Sequence, residues 1–393
     1  MYNKARKKWF IQGNKLECNI REYDVHEKKN NEKNMSNFIK KIEKHMKKRP
    51  IDTSKQALWE EEIISIIKSF IKNDEIFNLS GLDTYELDCM INMNREFLYR
   101  AREFDSKIEK DSVFQALRNV WIVGILQDLL GEKICLKKSI FAYSMVYPYS
   151  DNFLDDNNIT NEEKDEFNEK LYLMVKGEKI HLENELEEKI YKLINYIEDD
   201  YERSKYQGVY RSLIDIYKSQ VKSIKQQGKM YIPYEADILD ISIEKGGTSV
   251  LVDGYLIKGD LNDLEKEFCI NYGTLLQLID DFQDLKEDNY STIMTQVAEK
   301  YYLDVIINKL INYVYDLFNN TRFLENRENL KKVMISNCII MIVCNIALNK
   351  QYFSENYIKD MEKYIPFTID YIEVLDKDLK KKLRKTEGLA WLI

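Results

Sequence analysis

Two acidic runs in this sequence have spacings that suit metal chemistry. The first is Tyr147-Pro148-Tyr149-Ser150-Asp151-Asn152-Phe153-Leu154-Asp155-Asp156, with Asp151 and Asp155 four apart and Asp156 beside them. The second is Leu276-Gln277-Leu278-Ile279-Asp280-Asp281-Phe282-Gln283-Asp284-Leu285-Lys286-Glu287-Asp288. It sets Asp280, Asp284 and Asp288 at i, i+4 and i+8, with Asp281 adjacent. At about 100° per residue, carboxylates four apart stack one turn above each other on a single helix face. Each like-charged pair costs a helix roughly 0.2–0.5 kcal/mol, and Asp is a poor helix former. As a merely solvated face the stack is unfavourable, and a bound cation reverses its sign. Sparse carboxylates, completed by waters and phosphate oxygens, suit Mg²⁺, with Mn²⁺ able to substitute. Two such faces opposing each other would clamp several ions around one diphosphate. An EF-hand loop over 155–163 is excluded, because its spacing is wrong and its turn glycine is missing.

Cations and aromatic rings would complete such a site. Arg118, in Leu117-Arg118-Asn119, interrupts the apolar run from Phe114 to Leu130. Lys245 precedes Gly246–Gly247, where the glycines predict a helix break with backbone N–H groups turned to an anion. Lys258 is a third candidate anion ligand. Tyr143, Tyr147, Phe153 and Phe282 flank the acidic motifs and could line a cavity whose ring faces stabilise a cation. The three histidines, His26, His45 and His181, all lie far from both motifs in sequence, which argues against imidazole acid–base chemistry.

The elements that must position these residues are helices. Among 393 residues there are 13 Gly and 4 Pro, too few for a many-turn β fold, and the 44% apolar content supplies a sizeable core. From residue 36 onward the apolar spacing is helical. It predicts helices near 54–72, 83–105, 111–131, 137–150, 161–176, 182–198, 206–228, 263–288, 291–318 and 328–349. The apolar run Val333–Leu348 reads as a buried core helix, too short for a bilayer span of about 20 residues. The six cysteines are scattered, which argues against a zinc or disulfide framework and fits reduced thiols. The N-terminus lacks the apolar run of a signal peptide, so a cytoplasmic protein is expected. Net charge is -8, against nucleic-acid binding, but residues 1–50 hold 15 Lys/Arg and 6 Asp/Glu. We expect residues 1–50 to be a basic, partly irregular extension, either solvated or in peripheral contact with anionic lipid. Residues 51–393 are expected to form one all-α domain, and the reading allows a homodimer.

Motif one resembles the first aspartate motif of squalene/phytoene synthases, an acidic DxxxD preceded by Tyr. Motif two resembles that family's second motif through Leu276-Gln277-Leu278 and Asp284-Leu285-Lys286-Glu287-Asp288. It equally resembles the second DDxxD of chain-elongating prenyltransferases through Gln277, Asp280, Asp281 and Asp284. The stretch from Phe141 to Asp156 is similar to bacterial class I proteins grouped near the large-terpene synthases. Over roughly residues 85–350 the chain thus resembles the class I isoprenoid synthases. The resemblance implies a helical bundle around a central apolar cavity and Mg²⁺-dependent ionisation of a prenyl diphosphate. It casts Asp151, Asp155, Asp280 and Asp284 as catalytic, with Asp156, Asp281 and Asp288 as further metal ligands. The Gly-Gly-Lys-Arg type of segment that holds isopentenyl diphosphate is missing, which favours a terpene synthase over chain elongation. Gln283 stands where squalene/phytoene synthases usually carry Arg, which weakens head-to-head coupling of two prenyl diphosphates. A non-catalytic, lipid-binding helical scaffold is the alternative of a different class.

Overall fold

Scarce helix breakers and steady 3.6-residue apolar spacing leave this chain little alternative to helix. The structure, a computed structural model, describes residues 2–383 apart from 51, 157, 227–236, 287–290 and 300. Among the described residues there is no strand. The helices are α1 (Tyr2–Phe10), α2 (Val25–Met46), α3 (Thr53–Lys72), α4 (Thr84–Phe104), α5 (Lys110–Leu129) and α6 (Lys138–Asp155). They continue with α7 (Asn161–Lys176), α8 (Glu185–Asp200), α9 (Gln207–Ser223), α10 (Ile238–Lys258) and α11 (Asp263–Gln283). The last are α12 (Ile293–Ala298), α13 (Asp304–Asn319), α14 (Glu328–Leu348), α15 (Glu355–Glu362) and α16 (Ile369–Leu383). Local chemistry fixes many ends. Asp24 with Glu27 and Thr160 with Glu163 form capping boxes that open α2 and α7. Gly177 and Gly259 close α7 and α10 at φ of 82° and 78°, a conformation that costs glycine little.

Contacts group the chain differently from an extension followed by one body. One unit is Met1–Arg6 with Thr84–Gln277, and the other is Lys7–Asp83 with Leu278–Ile393. In the first unit, α5 packs against α4, α6 and α10, α8 lies on α6, and α9 lies on α10. Phe97, Ala116, Val120, Met145, Val252 and Leu256 are buried there. Gly246–Gly247 do not break α10, contrary to the expectation from sequence. The helix is continuous, and the glycines instead admit α11, because a Cβ on Gly246 would run into the Gly273 carbonyl.

In the second unit α14 packs on α13, α15 and α16, and α2 packs on α3. By length and hydropathy α14 could cross a bilayer, yet 61% of its most apolar window is buried inside the protein. Residues 7–50 belong to this unit. Trp9 is buried edge-to-face on Tyr313, with ring centroids 6.2 Å apart. Asn312 donates to the Lys15 and Gly13 carbonyls and accepts from the Glu17 N–H, fixing the segment after α1. In this stretch 11–24 and 47–50 lack helix. The single helix expected over 291–318 is two, α12 and α13.

Candidate functional site

Motif one closes α6. Asp151 and Asp155 occupy its last turns and Asp156 is the C-cap. The C-terminal end of a helix carries partial negative charge from its unpaired carbonyls. Three aspartates therefore fall at an end that already disfavours anions, and the last turn holds no basic residue. Asp151 is half-buried and accepts a hydrogen bond from Gln115 Nε2 on α5 at 2.7 Å. Next to it, Asn152 donates to Ser112 Oγ at 2.8 Å. Two side chains of α5 thus fix the rotation of the motif's helix. Asp156 accepts from the backbone N–H of Asn158 at 2.8 Å and starts the turn toward α7. The side chain of Asp155 lies outside the described residues.

A second polar contact set supports the same helix from behind. Tyr149 donates to Asp105 Oδ2 at 2.7 Å, and Lys189 Nζ of α8 reaches the same oxygen at 2.9 Å. Burial pushes the Asp105 carboxyl up, but the hydrogen bonds from Lys189 and Tyr149 outweigh it and hold it below the usual carboxylate range. Asp105 therefore stays ionised and ties α6 to α8.

Motif two ends α11 and falls in the second unit. Asp280 is exposed, Asp281 is buried, and Asp284 is half-buried just past the helix, its N–H bonded to the Asp280 carbonyl at 3.0 Å. Asp280 and Asp284 retain the one-turn stacking that the spacing predicts. Asp288 lies outside the described residues. Among the described residues no three His, Cys, Asp or Glu side chains converge as a metal cage. The donor chemistry therefore fits an ion only where substrate phosphates and water complete the shell, as Mg²⁺ accepts from one or two carboxylates.

The cation candidates separate. Arg118 is exposed on α5, three residues on from Gln115. Lys245 is half-buried inside the continuous α10, so the backbone N–H groups expected to face an anion there are spent in the helix. Lys258 is engaged: it donates to Glu265 at 2.6 Å and pairs with Glu132 at 3.6 Å. Its hydrogen bond to Glu265 raises its pKa, marking a structural ion pair. The aromatic candidates separate too. Phe282 is fully buried edge-to-face on Phe353, a packing role in the second unit's core. Phe153 leans on Phe167 with ring centroids 4.5 Å apart, Tyr147 is 37% exposed, and Tyr143 bonds Ser249 of α10.

Sequence reasoning passed over Asp253. It is 1% exposed within the apolar run of α10 and accepts from Asn119 Nδ2 at 3.3 Å, while its Oδ2 has no partner among the described residues. Asn119 also donates to Ser144 of α6 at 3.1 Å. The signal available was a lone acid between Val250 and Leu256. Gln115 and Asn119 gave none, because amides on a helix ordinarily face water. Set against known proteins, the chain matches no family model, no curated protein and no solved structure.

Proposed function

We propose that this chain is a Mg²⁺-dependent class I terpene synthase that ionises one prenyl diphosphate and releases diphosphate with a linear or cyclised terpene. The observation that supports it most is the end of α6, where aspartates fall at the negative pole of a helix and Gln115 orients one of them. Bound Mg²⁺ would supply the positive charge that a departing diphosphate requires. Within the first unit, Asp151, Asp155 and Asp156 would hold Mg²⁺. Within the second, taken by itself, Asp280, Asp281 and Asp284 would hold Mg²⁺, with Asp288 added by the sequence pattern. Gln115 holds the Asp151 carboxylate in one orientation, and Arg118 offers a cation on the next turn of α5. Tyr143 and Tyr147 present ring faces on α6 for an allylic cation. Lys258 and Phe282 have no part in this reading.

One observation favours the non-catalytic scaffold instead: no three ligating side chains converge among the described residues. The two readings part in one experiment. Purified protein is offered C10 to C35 prenyl diphosphates with Mg²⁺, singly and with isopentenyl diphosphate. Diphosphate release and the carbon number of the extract are followed. Release from a single substrate with unchanged carbon number is expected; Asp284→Ala should abolish it without lowering the melting temperature, and Asp151→Ala should abolish it while costing about 1–3 kcal/mol for the Gln115 amide left unpaired. Doubled carbon would mean head-to-head coupling, and growth by five would mean elongation. No release with any substrate would count against the synthase and favour the scaffold or a substrate outside this range. Melting supplies a readout independent of turnover. Mg²⁺ with inorganic diphosphate should raise Tm by mass action, and either alone should raise it far less.

A further inference from the structure

The N-terminal fifty residues leave a charge pattern that catalysis does not use. Helix α2 buries one side: Ile42 is 1% exposed, and Phe38 stacks on Phe70 of α3 with ring centroids 4.0 Å apart. Lys28 donates to the Glu362 carbonyl at 2.7 Å and Asn31 to the Pro366 carbonyl at 2.9 Å. The opposite side is a row of lysines. At about 100° per residue, Lys29, Lys33, Lys40, Lys44 and the C-cap Lys47 fall within about 60° of arc along about 27 Å of helix. All five are exposed, and none makes an ion pair with another described residue. Of the helix's three acids, Glu27 belongs to the N-terminal capping box and pairs with Arg21, and Glu32 accepts from Thr368; Glu43, one turn before Lys47, borders the row and is half-buried. Like charges one turn apart destabilise a solvated helix. The row thus has the same unfavourable self-interaction as the acidic motifs, with opposite sign.

We infer that this face of α2 docks on an anionic lipid surface. A straight row of like charges matches a plane of headgroups. The composition of the row discriminates between anionic partners. It holds lysine alone, a point charge suited to a fluid array of phosphates, with no arginine for bidentate base or phosphate recognition and no aromatic ring for base stacking. The contact is electrostatic and reversible, because no large apolar side chain lies among the five lysines.

The test is co-sedimentation of the full chain with phosphatidylcholine vesicles, with and without phosphatidylglycerol, at low and raised salt. Binding should require phosphatidylglycerol and weaken as salt shortens the screening length. Lys33→Gln with Lys40→Gln should weaken it about fivefold per lysine, roughly 25-fold together. The exposed pair Lys133→Gln with Lys179→Gln should leave it unchanged. Surface substitutions of this kind alter stability by less than about 0.5 kcal/mol, so a folding defect does not confound the comparison. Equal loss in both double variants, equal binding to both vesicles, or no binding would each overturn the inference. Tighter binding to duplex DNA than to vesicles at the same salt would also overturn it and assign the face to nucleic acid.

Discussion

Asp253→Asn should stabilise the protein by an amount that grows with pH. In α10 the carboxyl is 1% exposed, with a single hydrogen bond of 3.3 Å from Asn119. The groups around it are Asn119 of α5, Tyr143 of α6 and Cys269 of α11. None brings a positive charge. Burial raises its pKa well above the usual carboxylate value, and the bond from Asn119 offsets only part of that. The folded protein therefore keeps a proton at this site that the unfolded chain gives up near pH 4. Between those two pKa values the native state binds one proton more than the unfolded state. Stability from this group is full below about pH 4 and falls as pH rises, by about 1.4 kcal/mol per unit. The loss ends once the folded pKa is passed.

Asparagine copies the shape of the neutral acid and does not titrate. Its amide adds a fixed offset, up to about 1–3 kcal/mol if a donor is left unpaired, that does not change with pH. The diagnostic quantity is thus the slope. Urea unfolding of both proteins, followed by circular dichroism at pH 5, 6, 7 and 8, gives the stability difference at each pH, and subtraction removes every other titrating group. We expect the difference to move in favour of Asp253→Asn by about 1.4 kcal/mol per unit until the folded pKa is reached. A difference independent of pH over this range would refute the reasoning, since Asp253 would then be ionised in the fold.

Two further perturbations test the packing. Gly246→Ala places a methyl against the Gly273 carbonyl and should destabilise by about 1–3 kcal/mol or more, whereas Gly124→Ala, whose Cβ would sit 3.7 Å from Met93, should stabilise α5 by about 0.5–1 kcal/mol; thermal melts of the two should move in opposite directions. Trp9→Ala removes a buried ring from Tyr313 and should cost about 3–5 kcal/mol; a loss below 1 kcal/mol would show that the first helix is not part of the second unit's core.

The sequence was most legible where periodicity decides the outcome. The spacing of Leu58, Ile63, Ile64, Ile67 and Phe70 predicts α3, although Leu58 is 72% exposed rather than on the buried side, and the same logic gives α4, α7 and α14 within a few residues. It failed at α2, whose apolar content is low. That helix is held by an N-terminal capping box and by Lys28 and Asn31, whose partners lie 334 and 335 residues away. It failed again at Gly246–Gly247, where local propensity predicts a break. The decisive neighbour, Gly273, comes from the next helix and rewards close approach rather than a turn. Lys258 looked like an anion ligand because Glu265 and Glu132, which occupy it, are not neighbours in a short motif. The motif residues themselves were legible as types and spacing, but their supports were not.

Those supports form a pattern with a physical consequence. Ser112, Gln115 and Asn119 stand at i, i+3 and i+7 on α5, a single helix face. They bond Asn152, Asp151 and Ser144 of α6 in the reverse order, as antiparallel neighbours must. An apolar face in this position would tolerate sliding, since methyl groups repack at modest cost. The polar face does not: a shift of α6 by one turn would leave half-buried amides and a carboxylate without their partners, at about 1–3 kcal/mol each. The seam therefore adds little net stability while fixing one register. That register is what places Asp151 beside Gln115. A helix whose only task was to fill a core would gain nothing from such precision, whereas a carboxylate that must meet a metal-bound phosphate depends on it.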